Sequence, residues 1–219
     1  LNFNQKFTNT GTANINAGEL IVNGGTINSG DINVNAGFLR LNGGGTQTDA
    51  SIYVDIDASA VFGGTTTLLG TNSLTGRGDI YFNAGEFIFD VNQTSLSNEL
   101  QYRFNSGKLN YEGSLAFEKY VIEANSGALI NNENALLSLG VGSWNSGSLT
   151  LDERVSFDGT LTIGGSGEKN LYGSLNNYGV VNHGDYYNSG YPYYSYLLQT
   201  FYVRNGGEIN NLADATYNH

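Results

Sequence analysis

Apolar and polar residues alternate in short runs along this chain, and the runs recur at a nearly constant spacing. Ala13 and Ile15 share one side of a short stretch, and Leu20 and Val22 share one side of the next. Ile32, Val34, Leu39 and Leu41 repeat that arrangement, and Ile80, Phe82, Phe87 and Phe89 repeat it again. Alternation with a period of two over four or five residues predicts a β-strand with one buried side. Between the runs stand Asn-Ala-Gly and Asn-Gly-Gly, which supply the positive-φ corners where a strand can bend sharply. Each unit therefore predicts short strands joined by tight corners, and no stretch predicts a helix longer than a turn or two.

The units align with one another. Residues 9–26 read NTGTANINAGELIVNGGT and residues 28–46 read NSGDINVNAGFLRLNGGGT, one unit written twice with an added glycine. Residues 78–89 (GDIYFNAGEFIF) are a partial third copy. A shorter signature, Asn-x-Gly-x-apolar, runs the length of the chain. Its glycines are Gly18, Gly37, Gly85, Gly107, Gly127, Gly147, Gly179 and Gly207, with Ser59 in the equivalent place of one more. Two residues earlier come Asn16, Asn35, Asp57, Asn83, Asn105, Asn125, Asn145, Asn177 and Asn205. Two residues later come Leu20, Leu39, Val61, Phe87, Leu109, Leu129, Leu149, Val181 and Ile209.

Successive positions in this column are 19, 22, 26, 22, 20, 20, 32 and 28 residues apart. A period near twenty with insertions marks a solenoid, in which each coil lies on the last. The expected fold class is all-β: a single-stranded right-handed parallel β-helix (β-solenoid) with coils of about 20 residues. The Asn/Asp column is expected to form a structural ladder at one corner, and the apolar column one internal file. About ten coils rising ~4.8 Å each would make a rod on the order of 50 Å long. Low-complexity disorder would explain the Asn and Gly content but not an apolar residue recurring in step with it.

Residues 1–219 read as one β-solenoid domain. Within it, residues 63–78 read as a longer Gly/Thr loop, and an irregular Tyr-rich insertion or cap falls near 186–204. Composition narrows the function. The chain has no Cys, which excludes a disulfide framework and thiolate metal sites. A net charge of −11 with nine scattered Lys and Arg argues against a nucleic-acid partner. Such an acidic surface attracts Ca²⁺ only weakly, and no cofactor is expected. No apolar run approaches the ~20 residues of a membrane span. Starting at Leu1 without a signal core, the sequence reads as a mature or excised piece of something longer.

Residues 28–46 and the stretch LNNYGVVNHG (175–184) resemble the repeats of bacterial secreted β-solenoids: autotransporter passenger domains and filamentous-haemagglutinin-like adhesins. The resemblance implies a right-handed β-helix, export to the bacterial surface or beyond, and a stalk, adhesive or fibre role. It carries no active site across.

The expected function is a non-catalytic structural or adhesive segment of a bacterial extracellular fibre or cell-surface protein, and not an enzyme. It would self-associate by solenoid stacking or continue into a longer solenoid chain. The alternative is a carbohydrate-binding or carbohydrate-processing β-helix of lyase or glycosidase type, which needs carboxylates, Lys or Arg grouped on adjacent coils. Tyr186, Tyr187, Tyr191, Tyr193, Tyr194 and Tyr196 are the candidate contact to a subunit or a surface glycan. Asp55 and Asp57 would share an outer face with Tyr53 if Ile52, Val54 and Ile56 point inward, which suits a cation or acid/base work on a sugar. The plainer reading is a solvated strand face with Asp57 in the ladder. Arg77-Gly78-Asp79 is accounted for by the repeat, and His183 falls on an inward position.

Overall fold

The computed structural model describes residues 1–90, 92–123, 128–130, 136–151, 155–164, 168–183, 201–212 and 214–218. Among them there is no helix, and the strands stack in parallel as a three-sided β-solenoid. The first face begins Asn2–Phe3, Glu19–Val22, Gly37–Leu41, Ala58–Phe62, Asp79–Phe82 and Gln101–Phe104, each strand paired to the next. The second begins Phe7–Asn9, Thr26–Asn28, Gly45–Thr48, Thr66–Leu69, Glu86–Asp90 and Gly107–Glu112. The third begins Thr12–Ile15, Asp31–Val34, Ser51–Val54, Asn72–Gly76 and Thr94–Leu96. From Ser114 onward the strands lengthen and run around corners. Ser114–Glu123, Leu136–Leu151, Lys169–Asn177 and Phe201–Asn211 each serve more than one face.

Like residues meet like on the first face. Leu20 faces Leu39, and the file continues through Ala60, Ile80, Tyr102 and Tyr120 to Gly142, Leu161, Val181 and Tyr217. Phe87 is not in this file. It belongs to the second face, between Thr66 and Leu109. Leu109 in turn faces Ile130, Leu149 faces Ala128 and Leu171, and Ile209 faces Leu175 on the third face. The single internal file expected from Asn-x-Gly-x-apolar is thus distributed over all three faces.

The reason is local. The signature specifies a corner and the strand that leaves it, and it occurs at more than one corner. Gly18 and Gly37 turn the chain onto the first face with φ of 71° and 87°, while Gly85 and Gly107 turn it onto the second with 74° and 108°. At Gly37 a Cβ would also collide with the carbonyl oxygen of Gly18 in the coil before, so stacking and φ both require glycine.

Three smaller expectations change for the same reason. Residues 63–78 are not a loop. They contain the strands Thr66–Leu69 and Asn72–Gly76, which complete a regular coil. Ala58, rather than Ser59, faces Gly37, so Val61 pairs with Arg40 instead of Leu39. Asp55, rather than Asp57, occupies the place of Asn35. The Asp55 amide donates to Val34 as the Asn35 amide does to Ile15, and Asp57 sits at the corner with φ 65°.

The solenoid re-enters its second face at Phe201 after leaving the first at His183. Asn182 and Asn218, neighbours across this step, are 36 residues apart, against 19 for neighbours in the earliest coils. Tyr186, Tyr187, Tyr191, Tyr193, Tyr194 and Tyr196 lie outside the described residues. No helix among the described residues is long and apolar enough to cross a membrane.

Candidate assembly surface

Among the described residues the first coil has a partner on one side only. Asn2–Phe3, Phe7–Asn9 and Thr12–Ile15 each pair with the following coil, and their outer edges present unpaired N–H and C=O groups. The interior opens at this end. Val22, Ile32 and Val34 in the next coils are 0% exposed, whereas Leu1 is 79% exposed and Phe3, Phe7 and Ala13 are only partly covered. Phe3 and Phe7 tilt against each other with ring centroids 5.4 Å apart. With Ala13, Ile15 and Leu20 they line an open cleft of about 450 Å³, rimmed by Asn14, Asn16 and Glu19. The Leu1 ammonium donates to the Glu19 carbonyl at 2.7 Å, which ties the chain across the mouth.

Asparagine side chains link coil to coil, in several columns rather than one. At the corner leading to the first face, Asn35 donates to Asn16 at 2.7 Å, and on the third face Asn33 donates to Asn14 at 2.9 Å. At the corner leading to the second face, Asn42 donates to Asn23 at 2.9 Å, and Asn23 to Asn2 and Asn4 at 3.0 Å. Asn105 and Asn83 are bonded at this same corner, 2.8 Å apart, one corner on from Asn16 and Asn35. Asn145 follows Trp144 there, since Phe104 faces Ile122 and Ile122 faces Trp144. At the third corner Asn9 donates to Asn28 at 2.8 Å.

Near the other end the buried Asn177 donates to Asn211 at 2.6 Å, so Asn211 rather than Asn205 is its rung. The backbone of Asn205 lies in the strand Phe201–Asn211, its side chain lies outside the described residues, and Asn125 lies outside them altogether. Reading one column hid Asn23, Asn42, Asn9 and Asn28. Their signal was present all the same, because each recurs 19 residues on in the duplicated unit.

Several outer charges are paired between neighbouring coils. Arg40 meets Glu19 at 3.2 Å, Arg103 meets Asp79 at 3.2 Å, and Lys108 meets Glu86 at 2.9 Å. Hydrogen bonds from Lys108 first and Asn110 second hold the Glu86 carboxyl below its ordinary range. Asp55 accepts from the Tyr53 hydroxyl at 3.2 Å and lies 3.7 Å from Arg77. Ile52 and Val54 point inward, but Ile56 is 55% exposed because the corner has already begun, and Asp57 does not join Asp55 on a common strand face. Asp79 of the Arg-Gly-Asp stretch is engaged by Arg103. His183 is half-buried, with Nδ1 3.4 Å from the Tyr217 hydroxyl, whose pKa burial pushes up. Among the described residues no three His, Cys, Asp or Glu side chains are grouped to hold a metal ion.

No family model, no curated protein and no solved structure matches this chain.

Proposed function

We propose that the chain is a non-catalytic structural or adhesive segment of a bacterial extracellular fibre or cell-surface protein, extended by coil-on-coil stacking. The observation that carries this reading is the open first coil. It offers three parallel strand edges, an apolar cleft and the rims of the asparagine columns, the same features by which each inner coil holds the next. Asn14 and Asn16 each accept from the following coil, so these columns end at the rim. A contact of this kind is heterologous, and repetition of a heterologous contact that does not close produces a filament. The pairing of Glu19, Asp79 and Glu86 with Arg or Lys of adjacent coils gives these acids a role in the stack, which favours scaffold over sugar chemistry.

The test is light scattering and electron microscopy of the chain over a concentration series, beside a Phe3→Lys/Phe7→Lys variant. Mass that grows with concentration, rods longer than one solenoid, and loss of both in the variant are expected. Identical dispersed particles for both proteins at every concentration would sink the reading, and cleavage of an acidic polysaccharide would replace it with the carbohydrate-processing one.

A further inference from the structure

The second face is filled unlike the other two. Its inward files in the first five coils read Phe7, Thr26, Gly45, Thr66, Phe87 and, beside them, Asn9, Asn28, Gln47, Leu68, Phe89. Thr26, Asn28, Gln47 and Thr66 are each at most 1% exposed. Some of their polar atoms are satisfied. Asn28 Oδ1 accepts from Asn9 at 2.8 Å and from the Gly30 amide at 3.2 Å, and the Thr66 hydroxyl donates to the Gly64 carbonyl at 3.4 Å. Thr26 Oγ1, Asn28 Nδ2 and both amide atoms of Gln47 have no partner among the described residues.

These four atoms lie in adjacent coils. Gly45 contributes no side chain between Thr26 and Thr66, at the level where Gln47 enters. Buried polar atoms are rarely left unpaired, and a group of them on one inward face is the setting in which proteins hold internal water. The chemistry of the set agrees. Two amide nitrogens donate, the Gln47 carbonyl accepts, and the Thr26 hydroxyl does either. The set carries no charge and so gives no hold on an ion. It matches a small neutral molecule that both donates and accepts.

We propose that ordered water is bound inside the second face at the level of Gly45, bridging Thr26, Asn28 and Gln47. The competing arrangement is a direct bond from Asn28 Nδ2 to a rotated Gln47 carbonyl, which would extend the Asn9–Asn28 column inward and leave no place for solvent. Water-selective cross-relaxation spectra of the isotope-labelled full chain separate the two. Cross-peaks from water to the Gln47 side-chain amide and to Thr26, with the sign of a long-lived bound molecule, are expected. In Gln47→Leu those at Thr26 and Asn28 should weaken several-fold while the rest of the spectrum is retained. Cross-peaks from the Gln47 amide to Asn28 alone, with none to water, would overturn the proposal. If Gln47→Leu fails to fold, the wild-type spectrum decides by itself: water cross-peaks uphold the site and their absence removes it.

Discussion

Between Thr12 and Val54 the coils close in steps of 19 and then 20 residues and are lined by Ile15, Leu20, Val22, Ile32, Val34, Leu39 and Leu41. Between Ala58 and Tyr120 facing residues on the first face are 20, 22 and 18 residues apart and those on the second 21 and 22, and the lining turns aromatic: Phe62, Phe82, Phe87, Phe89, Tyr102, Phe104, Tyr111, Phe117. The rings form a continuous stack. Phe82 lies 6.1 Å from Phe62, 5.0 Å from Phe87 and 5.3 Å from Phe104, and Tyr102 lies 4.5 Å from Phe117. These steps overlap those of the early coils, so the two regions differ in what fills them and not in length. Interiors are close-packed, so rings have to be matched to rings from coil to coil. The outside does not change in step. Asparagine pairs join early coils and also Asn83 to Asn105, and charge pairs join early coils at Glu19–Arg40 and middle ones at Asp79–Arg103 and Glu86–Lys108. The two regions therefore differ in their filling and share their outer links.

The largest effect should come from emptying the aromatic coils. Phe82→Ala removes the ring that touches both the first-face and second-face stacks, and should lower stability by about 3–5 kcal/mol. The measurement is the urea midpoint followed by circular dichroism. A loss below about 1 kcal/mol would mean the aromatic coils collapse to fill the space, and that their rings are not matched to one another. The converse substitution overfills an aliphatic coil. Leu39→Phe puts a ring where the first face has a leucine 0% exposed between Leu20 and Ala60, and should cost about 1–3 kcal/mol through strain. If Leu39→Phe were tolerated without a change in midpoint, the aliphatic coils would have room that this comparison denies them.

The alternation of apolar residues made the strands legible, and the duplicated unit of residues 9–46 made the stacking legible. The phase of the coil was harder to see. Gly78–Phe89 copies the wording of the earlier units, yet Asp31–Val34 lies on the third face and Asp79–Phe82 on the first. Asn, Gly and an inward apolar side chain recur at more than one corner, so the text of one corner is interchangeable with that of another. Only the pairing partners tell the faces apart, and these are non-local. The same ambiguity turned residues 63–78 into an apparent loop, because Thr66 and Asn72 are polar residues facing inward. The open first coil is legible only in part. LNFNQKF reads as a partial strand entered in mid-pattern, but the cleft between Phe3, Phe7 and Ile15 needs three faces to exist.

A smaller effect is expected from the rungs of the early coils. Asn35→Ala removes the 2.7 Å bond to Asn16 at an exposed corner, and should cost about 0.5–1.5 kcal/mol in the same unfolding experiment. Asn16→Ala should cost a similar amount, and the double variant less than the sum, because both report one bond. Strict additivity would show that the asparagines act singly, by favouring the corner, and not as a column.

The smallest effect belongs to the middle coils and differs from the rungs in kind. Glu86 and Lys108 are 29% and 40% exposed as side chains, so their 2.9 Å pair is screened by solvent and worth about 0.2–1 kcal/mol. Its pH dependence is the sharper signature. The Glu86 carboxyl is held below its ordinary range in the fold by the hydrogen bonds from Lys108 and Asn110. Its contribution is therefore complete above the unfolded value of about 4.3 and is lost as pH falls through the lower folded value. Urea midpoints of the wild type and Glu86→Gln should differ at neutral pH and converge in acid. The Asn35–Asn16 rung contains no titratable group, so the difference between wild type and Asn35→Ala should stay flat across the same range. A Glu86→Gln difference that also stayed flat would assign the acid's role to packing, and the distinction between amide links and charge links would lose its electrostatic meaning.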